Sequence, residues 1–188
     1  MSPDARPVLG VFASDYGPGD AERASLMSQA GSFLARKGAR LVVIAEDHLV
    51  PVPLVTSART AGGEVTLIAD ESYSDLPALS GVTIERLATP EARAARLAAL
   101  STLYIALPGS LASAISLYRT WVKGGGGTGR KPVVFYDHNG AFKVVRGYAA
   151  DIISSSIPSH DRYVQFADSI EDIWNKIAWL IDQGATTI

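Results

Sequence analysis

Residues 103–107, Leu-Tyr-Ile-Ala-Leu, form a short apolar run without polar alternation, stopped by Pro108-Gly109 and followed by Leu111, Ile115, Tyr118 and Val122 at helical spacing. A run that does not alternate is what a strand covered on both faces requires. A strand that turns through glycine into a helix leaves the first helical amides facing open space. Those donors, together with the helix dipole, favour an anion such as phosphate. Ser110, Ser113 and Ser116 recur at every third position beside that turn. The same residues also suit a plain strand–helix turn whose small side chains allow close packing, so both readings stay open on the residues alone.

The rest of the chain repeats this grammar. Residues 8–13 are a first apolar strand, 14–19 a loop, and Asp20 a candidate cap for a helix. Ala24, Met27, Ala30, Gly31 and Leu34 give that helix a stripe of small and apolar residues suited to lying on a sheet, and Gly38 ends it. Residues 41–44 are a second buried strand. Strand, helix and strand in succession imply parallel pairing with a right-handed crossover. Two prolines make residues 45–53 extended. A short helix is expected over 54–61, a strand over 64–69, and loop over 72–87. Thr89-Pro90-Glu91 has the hydroxyl, the proline and the acid of a helix start. Residues 132–136 are a strand, Asn139-Gly140 a turn, 141–154 mostly helix and 163–167 a last strand. Asp168 is expected to cap a final helix with Ile170, Ile173, Trp174, Ile177, Leu180 and Ile181 on one face. Alternation from end to end predicts a Rossmann-like, doubly wound α/β fold, a mainly parallel sheet with helices on both faces. One domain over 1–188 is expected, with a flexible tail at 184–188.

Composition narrows the function. A net charge of −2 offers no basic excess for nucleic acid and no polybasic tail for a membrane. Cysteine is absent, which excludes disulfides and thiolate chemistry. His48, His138 and His160 lack ligand spacing, so no metal is expected. The N-terminus has no signal-peptide pattern, and no window is apolar enough to span a bilayer. A cytoplasmic chain is expected. Gly124 to Gly127 form a run of glycines, but the following residues are a strand, not the Lys-Ser/Thr helix start of a phosphate loop.

The segment 88–110, ATPEARAARLAALSTLYIALPGS, the following helix and RKPVVFYD resemble the LONELY GUY (LOG) family over nearly the whole chain. Its members, often mislabelled lysine decarboxylases, are Rossmann-like phosphoribohydrolases that cut the N-glycosidic bond of nucleoside 5′-monophosphates. The resemblance implies a homodimer, no cofactor, and phosphate held at the motif PGGxGTxxE. Pro108 and Gly109 match that motif. Ser110 and Ala112 replace glycines around Leu111, Ser113 replaces the threonine, and Ser116 stands in the slot of the catalytic glutamate. Arg93 matches the family's arginine, with Ala94 in place of its lysine. Ala13 and Ser14 fall at the family's first strand–turn. The family's second glycine loop is replaced around Glu46-Asp47-His48.

Hydrolysis at an anomeric carbon needs a carboxylate to stabilise oxocarbenium charge or activate water. Serine near neutral pH does neither unaided, and losing such a group costs about 100- to 10,000-fold. The resulting expectation is a protein that binds a nucleotide, a sugar phosphate or a similar small anion without phosphoribohydrolase activity. Its ligand residues would be Ala13, Ser14, Arg93, Pro108, Gly109, Ser110, Leu111, Ala112, Ser113 and Ser116. One rival is a working hydrolase with Glu46, Asp47 or Asp137 as a relocated carboxylate. Another is a structural or regulatory subunit. For the dimer, the apolar faces around Leu117, Trp121 and the last helix are the expected contact.

Overall fold

The strand runs become one sheet in which every pairing is parallel, ordered β4-β3-β2-β1-β5-β6-β7. The computed structural model describes residues 6–14, 20–45, 50–109, 111–120, 131–148, 150 and 163–184. In chain order the elements are β1 (Val8–Phe12), α1 (Asp20–Arg36), β2 (Arg40–Ala45), α2 (Val52–Thr60), β3 (Val65–Ala69) and β4 (Thr83–Arg86). Then follow α3 (Pro90–Leu100), β5 (Leu103–Ala106), α4 (Leu111–Tyr118), β6 (Val133–Tyr136), α5 (Lys143–Tyr148), β7 (Val164–Ala167) and α6 (Ile170–Asp182). The Rossmann-like α/β architecture expected from the alternation is the one observed.

Neighbouring strand residues point to opposite faces, and both faces are covered. Leu41, Val43, Leu103 and Ile105 join Met27, Ala30 and Leu34 of α1, Leu54 of α2 and Ile173, Ile177 and Leu180 of α6 in one core. Val42, Tyr104, Ala106 and Phe135 join Leu97 of α3 and Leu117 of α4 in the other, with Phe142 and Val145 packed against it. The helices therefore divide, α1, α2 and α6 on one face and α3, α4 and α5 on the other. This also splits the expected dimer contact. Leu117 is buried in the core, and α4 and α6 lie on opposite faces of the sheet. Trp121 lies outside the described residues.

Several local expectations need correction. Residues 72–87 are not simply loop: they contain a 3-10 turn, Pro77–Leu79, and β4. β4 is a four-residue edge strand with Glu85 and Arg86, too short and polar to read as a buried run. α2 starts at Val52, and Pro53 sits in its first turn, where a missing N–H costs nothing. The cap of α6 is Ser169, whose Oγ accepts from Asp172 N at 3.0 Å, and not Asp168. Thr89 caps α3 as expected, with Oγ1 accepting from Ala92 N at 3.1 Å. Asn139 and Gly140 take the positive φ values, 53° and 71°, that their turn demands. Of the helix expected over 141–154, α5 is the part given above, and residues 149 and 151–154 lie outside the described set. So do the tail residues 185–188 and the glycines at 124–127. Among the described residues, no helix is long and apolar enough to cross a membrane.

Two glycines fix how closely the helices approach. A Cβ on Gly10 of β1 would stand 2.6 Å from Ser101 Oγ and 2.7 Å from Leu97 Cδ2, so α3 lies directly on the β1 backbone. A Cβ on Gly31 would stand 2.3 Å from the Leu54 carbonyl oxygen. The small-residue stripe of α1 thus serves α2 as well as the sheet. At the far end of α3, Lys131 Nζ donates to the carbonyls of Ala98 and Ser101, a cation closing a helix C-terminus. Burial lowers the Lys131 pKa.

Because the atom opposing Gly31 is backbone, neither side can yield without moving a helix. Gly31→Ala is expected to cost about 1–3 kcal/mol through overpacking. In urea denaturation the midpoint should fall while the slope stays constant.

Candidate functional site

The sheet order reverses between β1 and β5. β1 has β2 on one side and β5 on the other, and the chain leaves β1 for the α1 face but β5 for the α4 face. The divergence opens a crevice beyond the carboxyl ends of these strands, the position where open α/β sheets bind ligands. A cavity of about 440 Å³ lies there. Phe12 and Ala106 end the strands at its floor. Leu107, Pro108 and Gly109 form the turn, Ser113, Ala114 and Leu117 come from α4, and Arg23 from α1. Ala141, Phe142 and Val145 close it from the α5 side.

The turn is tight because of what stands against Gly109. A Cβ on Gly109 would stand 2.3 Å from Ser113 Oγ and 3.4 Å from the Ser14 backbone nitrogen. Glycine is therefore required by close approach. It lets the Ser113 hydroxyl fold back over the turn and draws the end of β1 against it. Ser14 is completely buried and Ala13 nearly so. Leu111 and Ala112 form the first turn of α4, whose amides lack intrahelical partners. Ser110 lies outside the described residues.

Other expected site residues do not line this cavity. Ser116 is half-buried, and its carbonyl accepts from Thr120 Oγ1 at 2.9 Å. Arg93 is 5% exposed and donates through Nη1 to the carbonyls of Leu87, at 2.9 Å, and Ala88, at 3.3 Å. It ties down the loop before α3. Asp137, a candidate relocated carboxylate, accepts from Phe142 N at 2.7 Å and from Arg146 Nε at 2.9 Å. Glu46 and Asp47 lie outside the described residues.

Among the described lining residues Arg23 is the one charged group, and none is a carboxylate. Arg23 was not singled out from the sequence. A signal exists, because a cation in the first turn of a helix opposes the dipole and asks for another reason to be there. Phe142 offers no such signal, since only the fold brings α5 to the turn after β5.

His138 faces a different cavity, also about 440 Å³, between α1 and α6, with Arg36, Tyr136 and Glu171 among its lining. Tyr136 Oη lies 3.3 Å from His138 Nδ1. Burial, assisted by Glu171, raises the Tyr136 pKa. Among the described residues no group of three His, Asp or Glu side chains is gathered as a metal site would need.

No family model and no curated protein matches this chain. Solved structures do. TM1055, a structural genomics target, is 19% identical with a TM-score of 0.66, covering 93% of this chain and 99% of its own. The molybdenum cofactor carrier protein of Chlamydomonas reinhardtii is 17% identical with a TM-score of 0.67, covering 95% and 99%. The molybdenum cofactor binding protein of the phototrophic bacterium Rippkaea orientalis is 19% identical with a TM-score of 0.65, again covering 95% and 99%. At these identities the likeness establishes a shared fold.

The contact between Gly109 and Ser113 makes a testable pair. Gly109→Ala should cost about 1–3 kcal/mol. Adding Ser113→Ala removes the opposing oxygen, so most of the loss should return, and a double-mutant cycle should report strong coupling.

Proposed function

We propose that this protein binds a small anionic ligand, a nucleotide, sugar phosphate or similar phosphorylated molecule, in the cavity at the Gly109 turn, and holds it without cleaving its glycosidic bond. The observation that carries this reading is the lining itself. Arg23, the Ser113 hydroxyl and the start of α4 supply positive potential and donors, while the described lining contains no carboxylate. Among the described lining residues nothing would stabilise an oxocarbenium ion. Ser116 in the glutamate slot of the resembled family supports the same reading from the sequence. Two of the similar folds are described as a carrier and a binding protein of the molybdenum cofactor, which adds that cofactor to the ligands worth testing.

The experiment is thermal unfolding with inorganic phosphate, a set of nucleoside monophosphates and the molybdenum cofactor. A ligand at 100 times its Kd stabilises the native state by about 2.7 kcal/mol. For a chain of this size that is a rise of roughly 5–10 °C in Tm. Arg23→Gln should remove most of the rise. No free base should appear on incubation with the monophosphates. A flat Tm with every ligand, or release of base, would contradict the reading.

The same reading includes a homodimer formed by α4 against its copy. Ile115 is 44% exposed and Tyr118 60% exposed on that helix, and an isologous contact pairs one patch with itself. Tyr118→Glu would bring two carboxylates together across the two-fold. Sedimentation velocity should then show the wild-type dimer replaced by monomer.

A further inference from the structure

α5 is a poor helix on its own terms. Its six residues, Lys-Val-Val-Arg-Gly-Tyr, include two β-branched residues and a glycine, and a helix this short does not persist without tertiary support. Yet Val145 of this segment, with Ala141 and Phe142 just before it, makes one whole side of the cavity. What holds them is chiefly Asp137, with Asp168 Oδ1 also 3.6 Å from Arg146 Nη2. Its side chain is 7% exposed, and the Arg146 Nη2 lies 2.9 Å from Oδ2. Oδ1 accepts from the Phe142 amide at 2.7 Å, and Oδ2 accepts from Arg146 Nε at 2.9 Å. One carboxylate thus grips the segment at both ends of its cavity-facing stretch. The Arg146 guanidinium is held in turn over the Phe166 ring, 4.5 Å from its centroid. The Phe142 ring meets Phe135 edge-on, with centroids 5.0 Å apart.

We propose that Asp137, acting through Arg146 and the Phe142 amide, is a positioning residue that sets the fit of the cavity for the uncharged part of the ligand. This inference rests on the binding reading above. The anion meets Arg23, Ser113 and the Gly109 turn, whereas the Asp137 contacts given above hold Phe142 and Arg146. The ring or sugar that the anion carries meets the α5 wall. The affinity ratio between a nucleoside monophosphate and inorganic phosphate therefore reports the wall and leaves out the anion site.

The test compares wild type with Asp137→Asn, Arg146→Lys and Arg146→Ala. Arg146 is half exposed, so its variants keep the fold even if Asp137→Asn does not. Titration calorimetry with nucleoside monophosphate and with inorganic phosphate gives the ratio. Hydrogen exchange without ligand gives the mobility of residues 142–147. The ratio should fall about tenfold in Arg146→Ala, the scale of a lost charge-assisted hydrogen bond. Arg146→Lys should lie between, and exchange should rise in the same order. A parallel loss of affinity for both ligands, or unchanged exchange, overturns the proposal. If wild type binds neither ligand, the binding reading fails, and the exchange data alone decide whether Asp137 holds α5.

Discussion

The structure depends on the parallel pairing of β1 with β5. These strands are distant in sequence, yet they lie side by side in register from Leu9 and Leu103 to Phe12 and Ala106. Everything before β5 builds the sheet outward from β1 in one direction, and everything after builds it in the other. Right-handed crossovers then send the helices to opposite faces on the two sides of this seam. The crevice beyond β1 and β5 is a consequence of that reversal and needs no special residues to exist. The side chains decide only what the crevice can hold.

Close approach gives the crevice its shape. Gly10 brings α3 onto β1, Gly31 brings α2 onto α1, and Gly109 brings the Ser113 hydroxyl onto the turn. In each case the space a methyl would occupy is already filled by a named atom. Packing at this density transmits a displacement to the next layer. The position of the cavity floor and the packing of the two cores are therefore one problem, and a change at Gly10 would be felt at Ser101 before it reached the Gly109 turn.

Much of the fold was legible because parallel strands announce themselves as unalternating apolar runs. β1, β2, β3, β5 and β6 read that way. β4 did not, because an edge strand with Glu85 and Arg86 resembles loop. The helical spacing of Leu111, Ile115 and Tyr118 marked α4, but spacing alone does not say which stripe faces inward. The structure buries Leu117 and leaves Ile115 and Tyr118 exposed. Periodicity identifies a helix; only the sheet beneath it decides which stripe turns in. The candidate cavity was legible at Gly109 and Ser113, where local sequence makes the turn. It was not legible at Arg23 and Phe142, which long-range topology delivers. Arg93, which matches a ligand position by resemblance, donates from its guanidinium to the carbonyls of Leu87 and Ala88.

Asp137 shows why a carboxylate near a cleft is not by that fact a catalyst. A general base must have a lone pair free to take a proton from water, within hydrogen-bond reach of the reacting atom. Oδ1 of Asp137 accepts from a backbone amide, Oδ2 accepts from a guanidinium, and the side chain is almost wholly buried. Hydrogen bonds from charged and backbone donors hold the carboxylate in place. These contacts commit both carboxylate oxygens to holding structure. The value of Asp137 lies in rigidity: it makes a weak six-residue helix behave as a fixed wall. A hydrolase built on this carboxylate would draw on the same oxygens that hold the α5 wall of the cavity.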